Sequence, residues 1–157
     1  MRVIVAVDGS AASKETIAAV VNRRWASDTD FKVLAVIPYH PVDDDDLDDD
    51  EFEAAERMFR RRTELVTARC RQYQKLLEQA LPSVSVQIQI KNGNPPPEII
   101  KSVSEWSADE LIIGRYQTDT CERCVWGSVS RAVALRAACK VEIIAGSRDH
   151  FKNKTAC

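Results

Sequence analysis

The stretch GRYQTDTCERCVWGSVS, which begins at Gly114, contains two sets of residues that could do chemistry. Cys121 and Cys124 are spaced as in a dithiol switch or as in half of a zinc site. Gly127 and Ser128 stand where a helix is predicted to begin, and the free backbone N–H groups of a helix start attract phosphate. The stretch therefore suits either thiol chemistry or the binding of a phosphate group.

The thiol interpretation has limited support from the rest of the chain. A structural zinc ion needs about four ligands, but there is no second Cys-x-x-Cys motif, and His40 and His150 are isolated. Five cysteines are an odd number, which favours reduced thiols over a disulfide framework. We therefore predict no metal site and keep a thiol switch at Cys121 and Cys124 as a minor alternative, with Arg123 close enough to stabilise a thiolate.

A second group of polar residues follows the first apolar run. The sequence VAVDGS ends in Asp8, Gly9 and Ser10, which supply a carboxylate, a flexible turn and an N-cap for the next helix. In an open parallel sheet, ligands bind beyond the carboxyl ends of the strands, where the winding direction reverses. If the strands that end near Asp8 and Gly114 are neighbours, both turns face one crevice.

The remaining pattern predicts the elements that would hold these turns. Four apolar runs have the length and β-branching of strands buried on both faces, at 3–7, 33–37, 111–114 and 141–146. The run SVSVQIQI alternates apolar and polar residues, which predicts an edge strand with one wet face. The longest helical stretch runs from Glu53 to Leu81, and its apolar stripe comprises Met58, Phe59, Leu65, Val66, Tyr73, Leu76, Leu77 and Ala80. Strands that alternate with helices indicate a parallel α/β sheet.

The chain of 157 residues predicts a single domain over 1–147, with an acidic loop at 41–53 and a tail at 148–157. Nine carboxylates lie between Asp43 and Glu53, and they predict a solvated loop that runs into a helix start. A bound cation or a basic partner is the alternative, although the loop lacks the glycine and ligand spacing of an EF-hand.

Charge and hydropathy exclude several classes of partner. A net charge of −2 gives no attraction for nucleic acid or anionic lipid. No run approaches the roughly 18 apolar residues that span a bilayer, and the N-terminal run is too short for a signal peptide. We therefore expect a cytoplasmic protein. No Ser-His-Asp set or Walker lysine is present, so we expect a binding module that is at most a slow ATPase.

Four segments are together typical of one family: RVIVAVDGS, VLAVIPY, NGNPPPEII and ADELIIGR…GSVSRAVALRAACKVEIIAG. With them the chain resembles a universal stress protein of the UspA type over almost its whole length, outside the acidic loop and the tail. The resemblance implies a doubly wound, Rossmann-like, three-layer α/β/α fold with a five-stranded parallel sheet in the order 3-2-1-4-5. It also implies a homodimer through strand 141–146 and a stress-response or nucleotide-sensing role, with an unidentified protein partner as a further expectation.

Family members that hold ATP share the motif Gly-x-x-Gly, nine residues, then Gly-Ser or Gly-Thr. This chain keeps the spacing but has Gln117 in place of the second glycine. By position, the resemblance places Ala6, Asp8 and Val36 beside adenine and ribose. It places ATP phosphates, with their Mg²⁺, beside Gly114, Gly127, Ser128 and Val129, and Arg115 is a further candidate for phosphate.

Gln117 opens an alternative to nucleotide binding. A residue with a side chain pays roughly 1 to 2 kcal/mol for the left-handed backbone that glycine adopts freely. A nucleotide-free interaction module of the same fold therefore remains the second hypothesis for this chain.

Overall fold

The computed structural model describes residues 1–38, 48–115 and 127–146. Within these ranges strands and helices alternate along the chain, as β1 (Arg2–Val7), α1 (Ala11–Val21), β2 (Asp30–Ile37), α2 (Asp49–Ala80), β3 (Ser85–Asn92), α3 (Pro95–Trp106), β4 (Glu110–Arg115), α4 (Ser128–Ala134) and β5 (Lys140–Ala145). All strand pairs are parallel, and the strand order is β3-β2-β1-β4-β5. The predicted doubly wound sheet is confirmed.

The sheet separates two apolar cores, one on each face. Val3 and Val5 of β1 point into the core formed with α1 and α2, and Ile4 and Ala6 point into the core formed with α3 and α4. Burial on both faces explains why the central strands read as continuous apolar runs. By contrast, β3 lies at an edge of the sheet, as its alternating sequence predicted. None of the described helices has the length and apolar character that a membrane crossing requires.

Helix α2 begins earlier than predicted, because the acidic segment caps it. Asp48 Oδ1 accepts a hydrogen bond from the Glu51 N–H at 2.8 Å, and Glu51 Oε2 accepts one from the Asp48 N–H at 3.4 Å. Carboxylates are favoured in the first turn, where the helix dipole is positive. The part of the predicted loop 41–53 that begins at Asp49 is therefore helical. Residues 41–47 of that loop and the tail 148–157 lie outside the described residues.

The predicted apolar stripe of α2 is wrong in part. Cys70, Tyr73 and Leu77 are buried against the sheet. Three other members of the stripe are instead 74%, 59% and 49% exposed: Met58, Leu65 and Leu76. Leu65 and Leu76 each precede by one residue a side chain that packs on the core, Val66 and Leu77, and one residue corresponds to about 100° around a helix.

Four charged side chains join the segment that follows α1 to strands β4 and β5, at the amino ends of those strands. Glu110, whose side chain is only 4% exposed, lies 3.2 Å from Arg23 and 2.7 Å from Lys140. Glu142 contacts the same two cations but is 37% exposed. Burial favours the protonated form of Glu110, but the hydrogen bonds and charges of Lys140 and Arg23 outweigh it and lower the pKa of Glu110 below its usual value.

We expect Glu110→Gln to lower the free energy of unfolding by about 2 kcal/mol at pH 7, since it leaves two cations with a poorer partner. A group whose pKa is lowered by folding contributes stability above its unfolded pKa, and this is lost as the pH falls through the folded pKa. The difference in stability between Glu110→Gln and wild type, measured by thermal unfolding, should therefore become smaller as the pH is lowered. Glu142→Gln is the matched control, and an equal effect there would contradict the role of burial.

Candidate functional site

A cleft of about 320 Å³ opens beyond the carboxyl ends of β1, β2 and β4. Helices α1 and α2 cover one face of the sheet and α3 and α4 the other, so the winding direction reverses at this cleft. Ligands of open parallel sheets bind at this kind of position. The crevice predicted from the two turns is therefore present, and β1 and β4 are neighbours as required.

The walls of the cleft are mainly apolar. They come from the ends of three strands and from residues of all four helices: Ala6, Val7, Ala12, Leu34, Ala35, Val36, Ile37, Pro38, Val66, Pro95, Ile99, Ile113, Gly114 and Val129. Among the described residues, the polar side chains on the walls are those of Asp8, Ser13 and Arg62. Small-molecule sites commonly combine apolar walls with a few placed polar groups. The cleft therefore suits a ligand with a flat apolar part and a few polar groups.

Asp8 is held at the mouth of the cleft by the β1–α1 turn. Its Oδ1 accepts hydrogen bonds from the Ser10 N–H at 2.9 Å and from the Ser13 hydroxyl at 2.8 Å. Partial shielding from water favours the protonated form, but these hydrogen bonds outweigh it and lower the pKa of Asp8. Among the described residues, none donates a hydrogen bond to Oδ2. The carboxylate therefore lies on the cleft wall in its ionised form.

The turn itself explains the residues around Asp8. Gly9 has φ of +80°, a left-handed conformation that glycine adopts without strain. Ser10 occupies the N-cap position of α1 as predicted, but its side chain makes no capping hydrogen bond. The Asp8 carboxylate and the Ser13 hydroxyl organise the turn instead, since the Asp8 N–H also donates to Ser13 Oγ at 2.9 Å.

The structure brings most of the predicted site residues together. Five of them line the cleft: Ala6, Asp8, Val36, Gly114 and Val129. Gly127 is the N-cap of α4 and Ser128 is its first residue, so both adjoin the cleft through Val129. Arg115 ends β4, and a Cβ at Gly127 would lie 4.0 Å from the Arg115 Cβ. Arg115 is therefore against the start of α4 rather than on the cleft wall.

Several predicted residues fall outside the described part of the chain. They are Gln117, Cys121, Arg123 and Cys124. The thiol switch and the effect of Gln117 therefore stay predictions. Of the cysteines that are described, Cys70 is buried, and burial raises the pKa of its thiol to about 11, which makes it unreactive.

Gly114 is required by the packing of α1 on β4, apart from any role of the motif in ligand binding. A Cβ there would lie 2.6 Å from Thr16 Oγ1 and 2.9 Å from the Ala12 carbonyl oxygen. Thr16 cannot easily turn away, because its hydroxyl donates to that carbonyl at 2.7 Å and the side chain is fully buried. Gly114 therefore permits the close approach of α1 to β4, besides lining the cleft.

The model of the universal stress protein family matches residues 1–145. The chain belongs to the universal stress protein family. No curated protein matches its sequence. The fold and the family that the sequence segments indicated are therefore both confirmed.

Solved structures of universal stress proteins share the fold. UspA from Lactobacillus plantarum has a TM-score of 0.73 at 20% identity, covering 92% of this chain and 97% of that one. A universal stress protein in complex with cAMP has a TM-score of 0.59 at 20% identity, covering 94% and 98%. The Arabidopsis thaliana family protein At3g01520 with AMP bound has a TM-score of 0.63 at 18% identity, covering 98% and 97%. At such identities the likeness shows the fold alone.

The sequence patterns missed the contribution of α2 to the cleft of this universal stress protein. Arg62 and Val66 line its wall, one helical turn apart. They continue the inward-facing positions of Cys70, Tyr73 and Leu77 towards the carboxyl edge of the sheet. Arg62, Val66, Cys70 and Tyr73 are spaced by four, four and three residues, which is the spacing of one helix face. The apolar pattern did not include Arg62, because arginine is charged.

Proposed function

We propose that this universal stress protein is a stress-response module that binds an adenine nucleotide in the cleft. The observation that carries the proposal is the cleft itself, whose apolar walls and ionised Asp8 lie where the winding of the sheet reverses. Two proteins with the same fold are named as complexes with AMP and with cAMP. Adenine combines a flat apolar ring with polar edges, which suits walls of this kind.

In this proposal the base and ribose lie against Ala6 and Val36, at the ends of β1 and β2. The Asp8 carboxylate accepts hydrogen bonds from ribose hydroxyls, and a charged acceptor makes such bonds strong. The phosphates point towards Gly127 and Ser128 at the start of α4. ATP with Mg²⁺ is the form that the sequence motif favours, and the volume of about 320 Å³ lies at the lower end of the range of small-molecule sites.

A nucleotide-free interaction module is the second candidate, and Gln117 favours it. Glutamine replaces a glycine that nucleotide-holding members carry at this position of the motif. The two candidates differ in what the purified protein contains. Mass spectrometry of small molecules released by acid from the native protein should detect an adenine nucleotide under the first proposal. Failure to find or titrate AMP, ATP or cAMP would favour the second.

We expect Asp8→Asn to weaken AMP binding about tenfold or more, because it removes the charge that ribose hydroxyls meet while keeping an oxygen for Ser10 and Ser13. Isothermal titration calorimetry measures the change. Asp28→Asn is the control, since Asp28 is exposed at the opposite end of the sheet, beside the N-terminal amine. Equal affinity in Asp8→Asn and wild type would place the ribose elsewhere.

We also propose a homodimer through strand 141–146 and action in the cytoplasm. Strand β5 is an edge strand whose residues Val141, Ile143 and Ile144 are only half-buried. An exposed apolar edge is typically covered by a second strand. Cys70 and Cys139 are unpaired thiols, which persist in a reducing compartment.

A further inference from the structure

Arg62 is a cation on the cleft wall that no described residue pairs with. Arg57 and Arg60 on the same helix lie 3.6 Å from Glu53 and Glu56, one turn away in each case. In the described part of the chain, no residue forms a hydrogen bond or ion pair with Arg62. Of the described residues that line the cleft, Arg62 is also the one cation. Its guanidinium is thus placed on the wall of the cleft, where a ligand would meet it.

The packing of α2 sets the helix face on which this exposed arginine lies. Arg69 lies seven residues further along, on the same face, and its guanidinium donates to the Gly9 carbonyl oxygen in the β1–α1 turn. Val66, between them, lines the cleft. Arg62 thus lies about 10 Å nearer the start of the helix than Arg69, on the same face.

The charges of the cleft set what Arg62 can do. Without it, the charged group on the described walls is the carboxylate of Asp8, which repels an anionic ligand. With it, the walls carry one charge of each sign. The guanidinium is planar, always charged and offers paired N–H donors that match phosphate oxygens.

We propose that Arg62 binds the phosphate of the nucleotide from the α2 side of the cleft and makes the site select nucleoside phosphates over nucleosides. The inference rests on the proposed nucleotide function and adds a residue to it that the family motif does not contain. In this arrangement Asp8 holds the ribose, and the phosphate lies against Arg62 on the α2 wall. The two opposite charges of the cleft then match the two polar parts of the ligand.

The test is calorimetric titration of the full-length protein with adenosine and with AMP. We expect Arg62→Gln to weaken AMP binding about tenfold or more and to change adenosine binding less than about twofold, since only AMP carries the charge. Arg62→Lys, which keeps the charge but loses the planar fork, should fall between Arg62→Gln and wild type. Arg61→Gln is the matched control, because Arg61 is an exposed neighbour that does not line the cleft.

The outcomes separate the two proposals. Equal losses of AMP and adenosine affinity in Arg62→Gln would overturn the phosphate role, because they would place Arg62 against the base or in the fold. Unchanged AMP affinity would overturn it as well, as would an equal loss in Arg61→Gln. If wild type bound neither ligand, the proposed nucleotide function would fail, and the role of Arg62 with it. Unchanged thermal unfolding of the variants excludes loss of fold.

Discussion

Gly114→Ala should lower the free energy of unfolding by about 3 kcal/mol, because a methyl group has no room where α1 crosses β4. The Cβ would lie 2.9 Å from the Ala12 carbonyl oxygen, which is backbone and moves only with the helix. For a protein of this size, each kcal/mol corresponds to about 2 to 4 °C in melting temperature. We therefore expect a fall of about 6 to 12 °C in thermal unfolding without any ligand.

The other described glycine of the motif provides the matched control. A Cβ at Gly127 would meet Ser130 Oγ at 3.2 Å and would otherwise have space. Gly127→Ala should therefore cost at most about 1 kcal/mol, from the poorer N-cap. Thr16→Ala in the Gly114→Ala background should restore only part of the stability, since the Ala12 carbonyl remains. A Gly114→Ala protein as stable as wild type but unable to bind AMP would show that this glycine serves the ligand alone.

Gly114 shows which features of the site could be predicted from the sequence and which could not. The motif predicted correctly that Gly114 lies at the cleft, because strand ends and turns follow from local patterns. It did not reveal the contact of Gly114 with α1, which joins residues about a hundred positions apart. Such close approaches depend on the tertiary packing of two elements and leave no local signal.

The same limit applies to α2. Its length and position followed from apolar spacing, yet Met58, Leu65 and Leu76 are exposed, because only a narrow face of the helix reaches the sheet. Arg62 was missed for the complementary reason, since hydropathy assigns arginine to the solvent. The strand order, in contrast, was predicted through the family resemblance, and the parallel α/β architecture from the alternation of strands and helices.

The two edges of the sheet differ in a way that bears on assembly. Edge strand β3 carries Gln87, Gln89 and Lys91, polar residues that discourage pairing with another strand. Edge strand β5 ends in Ile143, Ile144 and Ala145, and within the described residues no element covers its outer side. The difference favours β5 as the edge that a second copy pairs with across a twofold axis.

We expect Ala145→Asp to convert a dimer into a monomer, because twofold symmetry places two copies of the new carboxylate at one interface. Ala145 is exposed in the single chain, so the charge costs the isolated fold little. Light scattering after size exclusion should give twice the 17.6 kDa of one chain for wild type and 17.6 kDa for the variant. Ile143→Asp should act likewise, but Ile143 also packs on the second core, so its loss of stability is larger.

Gln87→Asp places the same charge on the other edge strand, at a position that is also exposed, and should leave the mass of the dimer unchanged. The pair of variants distinguishes the edges, since a charge that acted through general destabilisation would affect both. A monomeric wild type would contradict the assembly outright. If the dimer persisted in Ala145→Asp but dissociated in Gln87→Asp, the interface would be assigned to β3. Polar side chains of β3 would then have to pair across the twofold axis.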